Sequence, residues 1–165
     1  MLAKGVRRQT GIAIVIAAAT MVASCGFGST TFALSNAWVD QTYQCPTGSS
    51  NTAYDLHATV HVDNGTSNTV SITSVAAVMT LVATKGTWLE QLGDRYTASN
   101  VTFTPGSVAA GASATLHVTI PSACTNGKTP TGGSGYGEYS VALTVTTSAG
   151  AYKIESANRH RIIPA

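Results

Sequence analysis

Apolar and polar residues alternate along much of the chain from residue 32 onward, and this period of two limits the possible folds more than any other feature. The alternation is clearest in residues 54–62, 112–120 and 139–145. Successive side chains of a β-strand point to opposite faces, so the pattern predicts strands with one buried face. No segment shows the spacing of a convincing amphipathic helix. The folded part of the chain is therefore predicted to be all-β.

Turn signals separate the predicted strands, as at Asp63-Asn64-Gly65 and Pro105-Gly106. Residues 69–84 predict two strands or one long bent strand, and residues 86–95 predict an irregular connection that carries Trp88. Several short strands with turns between them are typical of an antiparallel sandwich, and a length of 165 residues corresponds to one domain. We predict a single antiparallel immunoglobulin-like β-sandwich of seven or eight strands over residues 32–165.

The first 25 residues have the composition of an export signal. Lys4, Arg7 and Arg8 precede an apolar run over residues 12–22 that only Thr20 interrupts. As a helix this run would span about 16 Å, which is too short for a hydrocarbon core of about 30 Å. A basic start, a short apolar run and small residues after it predict a secretory signal peptide.

The apolar run ends in Val22-Ala23-Ser24-Cys25, which resembles the lipobox of bacterial lipoproteins. The resemblance implies a lipoprotein signal peptide over residues 1–24, acylation of Cys25 and a short tether over residues 25–31. Cys25 would then hold the protein to the bacterial cell membrane, facing the periplasm or the cell exterior. The alternative is ordinary cleavage further on, after Ala33, which would release a freely secreted ligand-binding domain.

The other two cysteines, Cys45 and Cys124, form an even pair in a protein predicted to be exported. Disulfides persist outside the cytoplasm, so we predict a Cys45–Cys124 bridge. In an up-and-down count of the strands, both cysteines lie in connections at the same end of the sandwich. A leader and a sandwich of this kind resemble the immunoglobulin-fold domains of small bacterial surface lipoproteins, a resemblance of architecture that implies no particular activity.

The charge of the chain excludes a nucleic-acid partner. Charged residues make up 10% of the chain, and beyond Cys25 six basic residues stand against seven acidic ones. Nucleic-acid binding requires a basic face that displaces counterions from phosphates, and the predicted domain has no basic excess. The acidic residues are scattered without a close pair for acid–base chemistry, so neither an enzyme nor a cofactor is predicted.

Three histidines give a weak indication of a metal site. His57 and His61 lie on the polar face of one predicted strand, about 13 Å apart at 3.3 Å per residue, too far to bind one ion together. His117 lies on the polar face of the strand that neighbours theirs in this fold, so it could approach either of them. The alternative interpretation is that all three are solvent-facing strand residues.

Residues 125–137 predict a flexible loop between the fifth and sixth main strands. Lys128 and Tyr136 are its candidate residues for binding a protein partner, since loops carry recognition in sandwiches. An exposed edge strand is a second candidate partner surface. The leading functional hypothesis is a lipid-anchored, non-enzymatic binding or structural module of the cell envelope. The alternatives are an envelope metal-binding accessory protein that uses the surface histidines, and a freely secreted ligand-binding domain.

Overall fold

The computed structural model describes residues 31–126 and 135–164, and they form two β-sheets that face each other. No helix long and apolar enough to cross a membrane occurs in these ranges. The strands of the described residues are β1 (Phe32–Val39), β2 (Thr42–Cys45), β3 (Thr52–Asn64), β4 (Val70–Lys85), β5 (Arg95–Thr97), β6 (Thr102–Thr104), β7 (Ser107–Val108), β8 (Ser113–Cys124), β9 (Tyr136–Thr147), β10 (Gly150–Glu155) and β11 (His160–Pro164).

The order of the strands is that of an immunoglobulin-like sandwich. The first sheet has the order β1-β3-β8-β6, and the second has the order β2-β11-β9-β4-β5, with β10 paired to β9. These correspond to strands A-B-E-D and to A′-G-F-C-C′ of the immunoglobulin arrangement. β1 and β2 are the two halves of the first strand, and β10 and β11 are the two halves of the last. Eight main strands result, which confirms the predicted fold class.

The core consists of the inward faces of the four long strands. Burial alternates along β3, β8 and β9, as the period of two in the sequence predicts. The strands β3 and β8 pair antiparallel over twelve residues, and β4 pairs antiparallel with β9. The largest fully buried side chains are Leu56, Val60, Val62, Met79, Leu81, Leu116, Val118, Ile120, Val141, Leu143, Val145 and His160.

Residues 70–85 form one long strand, so the second of the two possibilities left open by the sequence is correct. The register of β4 against β9 shifts between Ile72 and Ser74 and again between Leu81 and Ala83. Such bulges bend a strand and increase its twist, which lets β4 follow the curved sheet for its whole length. Residues 86–94 then form the irregular connection that the sequence predicts.

The antiparallel sheets place the connections at two ends of the sandwich. The start of β1, the β3–β4 turn and the β9–β10 turn lie at one end, which we call the proximal end. The disulfide cysteines, the start of β9 and the loop 86–94 lie at the other, which we call the distal end. The 13 residues of β3 separate the two ends by about 40 Å.

Candidate binding cleft

A cleft of about 270 Å³ opens at the distal end between the two sheets. Its walls combine three aromatic side chains with aliphatic residues, one carboxylate, one amide and two threonine hydroxyl groups. A cleft with an apolar lining and a few polar groups is the usual form of a small-molecule site. The lining residues are Asn51, Thr87, Trp88, Leu89, Glu90, Tyr96, Ala123, Cys124, Thr125, Tyr139, Ile162 and Pro164.

The loop 86–94 carries four of these residues, and its hydrogen bonds hold it in one conformation. Leu81 N donates to Asp94 O at 2.9 Å, and Gly93 N donates to Leu81 O at 2.9 Å, which extends the pairing of β4 beyond β5. The Asp94 carboxylate accepts a bond from Gln91 N at 2.8 Å. Gly93 has a φ of 93°, a conformation that favours glycine. The loop therefore folds back over the start of β9.

Trp88 packs against the backbone of β9 at Gly137. A Cβ placed on Gly137 would lie 2.5 Å from the Trp88 ring, so only a glycine leaves space for the indole. The indole Nε1–H donates to the Tyr139 hydroxyl at 3.1 Å, and that hydroxyl donates to the Glu90 carboxylate. Burial, followed by the hydrogen bond to Glu90, raises the pKa of Tyr139. The phenol therefore keeps its proton and remains a donor to Glu90 at neutral pH.

Tyr96 closes the side of the cleft between the sheets. It pairs with the inward-facing Met79 of β4, so its ring points between the sheets, and its hydroxyl donates to Pro121 O at 3.2 Å. The loop beside it presents apolar side chains to solvent, because the lining residue Leu89 is 64% exposed and Leu92 of the same loop is 65% exposed. The cleft thus has an aromatic wall and an apolar, accessible rim.

The disulfide between Cys45 and Cys124 lies at the distal end and links the two sheets there. It confirms the predicted pairing. The bridge joins the last residue of β2 in the second sheet to the last residue of β8 in the first, with a Cα–Cα distance of 6.0 Å. Beside it, Asn51 N donates to Thr125 Oγ1 at 2.9 Å and Asn126 N donates to Ser49 O at 2.9 Å. Two of these residues, Asn51 and Thr125, also line the cleft.

Of the two predicted partner-binding residues, Tyr136 belongs to the described part of the chain and does not line this cleft. Tyr136 begins β9, and the Arg161 guanidinium lies 4.3 Å from the centre of its ring. Side chains alternate along β9, so Tyr136 points away from the face that carries Gly137 and Tyr139. Lys128 and Cys25, the predicted site of lipidation, lie outside the described residues. A partner-binding role for Lys128 and Tyr136 stays a prediction.

The three histidines lie on the outer face of the first sheet, as predicted. His57 Nδ1 is 3.0 Å from Asp40 Oδ2, and His61 Nε2 is 3.2 Å from Asp63 Oδ1. His117 is on β8, the neighbour of β3, opposite Thr59 in the register. Among residues 31–126 and 135–164, no three His, Cys, Asp or Glu side chains are close enough to hold a metal ion together.

A buried pair of titratable residues, Tyr54 and His160, lies next to the distal end, and sequence reasoning did not identify it. The ring of His160 is 1% exposed, with Nδ1 2.7 Å from Asp40 O and Nε2 3.0 Å from the Tyr54 hydroxyl. A carbonyl oxygen can only accept, so Nδ1 carries the proton and Nε2 accepts from Tyr54. Tyr43 stacks on Tyr54 with ring centres 3.8 Å apart. Burial lowers the pKa of His160 and raises the pKa of Tyr54 to about 12, so both are neutral.

We expect the free energy of unfolding to decrease as the pH falls below about 6.5, the ordinary pKa of histidine. In the folded protein the pKa of His160 is lower, so the unfolded chain takes up the proton first and acid favours unfolding. This contribution is complete above pH 6.5 and is lost as the pH falls toward the folded pKa. Thermal unfolding at a series of pH values should show a smaller slope between pH 6.5 and 5 for His160→Gln. The exposed His117→Gln is the control, and an unchanged slope in His160→Gln would contradict the expectation.

No protein-family model matches the chain, and no curated protein matches it. Distant likenesses occur among solved structures. AggA, the major subunit of aggregative adherence fimbriae type I from Escherichia coli, has 12% identity and a TM-score of 0.38 over 82% of this chain and 96% of that chain.

Two other solved structures show a weaker likeness. A PapD-like domain of human CEP192 has 12% identity and a TM-score of 0.29, over 94% of this chain and 96% of that chain. The CooA pilin subunit from enterotoxigenic Escherichia coli has 11% identity and a TM-score of 0.27, over 79% of this chain and 98% of that chain. The assignment of the fold rests on the strand order of this chain, and the candidate site rests on its own cleft.

Proposed function

We propose that the chain is a non-enzymatic binding module of the bacterial cell envelope. A lipid on Cys25 anchors it to the membrane, and the distal cleft recognises its ligand. The observation that carries the proposal is the separation of the two sites along the sandwich. The strand β1, which would follow the tether, begins at the proximal end, and the cleft opens about 40 Å away at the distal end.

Export of the chain is supported by two independent features. The leader has the charge and length of a signal peptide, and its Val22-Ala23-Ser24-Cys25 segment resembles a lipobox. The folded domain contains a disulfide, a bond that persists in the oxidising compartments outside the cytoplasm. A tether of seven residues, 25–31, has a maximum length of about 24 Å. The cleft would then face away from the membrane, toward a soluble or surface-bound ligand.

The chemistry of the cleft favours binding over catalysis. Among the residues that line it, Glu90 is the one carboxylate, and Cys124 is held in the disulfide. Acid–base catalysis needs two groups that exchange protons near the working pH. The neighbouring Tyr139 has a raised pKa and keeps its proton, so it cannot serve as the base. The same groups are well suited to hold a ligand in one orientation.

Replacement of Cys25 by serine tests the anchor. A serine cannot carry the thioether-linked lipid, so we expect Cys25→Ser to move the protein from the membrane fraction to the soluble fraction. The wild-type protein extracted from membranes should have an intact mass that begins at Cys25 and includes acyl chains, with two hydrogens removed for the disulfide. A soluble wild-type product that begins near Leu34 would contradict the anchor and support a freely secreted ligand-binding domain.

A further inference from the structure

Of residues 31–126 and 135–164, a single charged side chain lines the cleft, the carboxylate of Glu90. Two basic residues directly precede lining residues, Arg95 before Tyr96 on β5 and Arg161 before Ile162 on β11, and the alternation of side chains directs both to the opposite face of their strand. Among the described residues, a ligand inside the cleft therefore meets one negative charge without a positive charge on the same wall. Electrostatic complementarity favours a cation as the ligand.

Aromatic side chains add to this preference. Trp88, Tyr96 and Tyr139 all line the cleft. The face of an aromatic ring carries a negative potential, and tryptophan attracts a nearby cation more strongly than the other rings do. The remaining wall is aliphatic, with Leu89, Ile162 and similar residues that would contact hydrocarbon. A carboxylate, aromatic rings and an apolar wall together suit a positively charged nitrogen on a short hydrocarbon stem.

The carboxylate is fixed before a ligand enters. Trp88 donates to Tyr139, and Tyr139 donates to one oxygen of Glu90, Oε2. Because Trp88 is itself packed against Gly137, this chain of hydrogen bonds connects Glu90 to the rigid start of β9. A preorganised counter-ion costs less conformational entropy on binding than a free side chain does. The volume of about 270 Å³ is just below the range of drug-sized pockets, so it suits a small head group.

We propose that the distal cleft binds an alkylammonium group, with the Glu90 carboxylate as counter-ion and Trp88 and Tyr96 as aromatic walls. This inference rests on the proposed function of the distal end as a recognition site. Two sources could supply the same chemistry: a small quaternary amine such as choline, or the side chain of a lysine on a protein. A neutral sugar is the competing ligand class, since aromatic rings and hydroxyl groups also bind sugars.

The chain has two tryptophans, so ¹H–¹⁵N spectra of the full-length protein in detergent micelles should show two indole peaks. We expect choline to shift the peak of Trp88 saturably and to leave the peak of Trp38 unchanged, because Trp38 lies on β1 outside the cleft. The neutral isostere 3,3-dimethylbutan-1-ol has the same shape without the charge. We expect it to bind at least about tenfold more weakly.

Glu90→Gln is the decisive variant. Glutamine keeps an oxygen that can accept the Tyr139 hydrogen bond, so the cleft should stay intact while the charge is lost. We expect choline to bind at least about tenfold more weakly to Glu90→Gln, while the neutral isostere binds as before. Glu155→Gln, an exposed charge removed from β10, is the matched control and should bind choline like the wild type.

The titrations distinguish the two possible sources of the alkylammonium group, and they can also overturn the inference. Tighter binding of choline than of Nα-acetyl-lysine N-methylamide, which keeps its charged side-chain ammonium, identifies a small quaternary amine. The reverse order identifies a lysine side chain. Equal binding of choline and its isostere, equal binding by Glu90→Gln and the wild type, or a Trp88 shift with glucose alone would overturn the inference. The fractionation of Cys25→Ser is independent of all of these measurements. Failure of choline to bind would therefore not contradict the membrane anchor, and a soluble wild-type protein would not contradict binding of an alkylammonium group.

Discussion

Replacement of both Cys45 and Cys124 by alanine should lower the free energy of unfolding by about 4 kcal/mol. The two residues are 79 positions apart, so the bridge closes a long loop and removes many conformations from the unfolded chain. Folded domains of this size are stable by about 5 to 15 kcal/mol, so this loss is a large fraction of the total. We also expect the cleft to become less ordered, because Cys124 lines it.

Urea denaturation, followed by intrinsic fluorescence, measures the first effect. Cys25→Ser is the matched control, because it removes a cysteine that takes no part in the bridge, and its midpoint should equal that of the wild type. Incubation of the wild type with a reductant should give the same midpoint as the double variant. A change below about 1 kcal/mol would contradict the prediction and would mean that the unfolded chain is already compact.

The main strands could be predicted because each is determined locally. In β3 the apolar residues at 56, 58, 60 and 62 are all buried, and the polar residues between them face outward, as the period of two requires. The bridge between Cys45 and Cys124 was also accessible, since export and an even number of cysteines leave one pairing once Cys25 is set aside. The strands could be predicted from the pattern within a short segment, and the bridge could be predicted from the number of cysteines.

The short pairings were not accessible in this way. The strand β2 has four residues and pairs parallel with β11. The paired residues Thr42 and Arg161 are 119 positions apart in the chain. Four residues carry little periodicity, and a parallel partner is set by the course of the whole chain. The same holds for the cleft. Glu90 and Tyr139 are 49 positions apart, and nothing local indicates that they meet.

The alternation of side chains between the two faces of β9 explains why the predicted and observed candidate sites differ. The sequence places Tyr136 at the end of the loop predicted over residues 125–137, and position alone made it a candidate for partner binding. In the strand it shares the outer face with Glu138, which accepts hydrogen bonds from Arg159 and Arg161. Gly137, a residue without a side chain, is the position that shapes the cleft. A shift of one residue along a strand moves a side chain from one face to the other.

Gly137→Ala should therefore open the aromatic wall of the cleft with a single methyl group. The added Cβ would lie 2.5 Å from the Trp88 ring, well inside van der Waals contact, and a packed indole cannot move far enough to relieve the clash without losing its contacts. We expect Trp88 to leave its position, with loss of the hydrogen bond to Tyr139. Overpacking of this kind costs about 1 to 3 kcal/mol. The tryptophan emission should shift to longer wavelength as the indole becomes exposed.

Gly106→Ala is the matched control for this substitution, since no heavy atom lies within 4 Å of a Cβ built there. It should leave both the emission maximum and the urea midpoint close to those of the wild type. The spectrum of a Trp38→Phe background assigns the shift to Trp88, because only one tryptophan then remains. If Gly137→Ala kept the wild-type emission in that background, the indole could not lie against the start of β9. The hydrogen bonds through Tyr139 and Trp88 would then not connect Glu90 to the sheet, and the carboxylate of the cleft would not be preorganised.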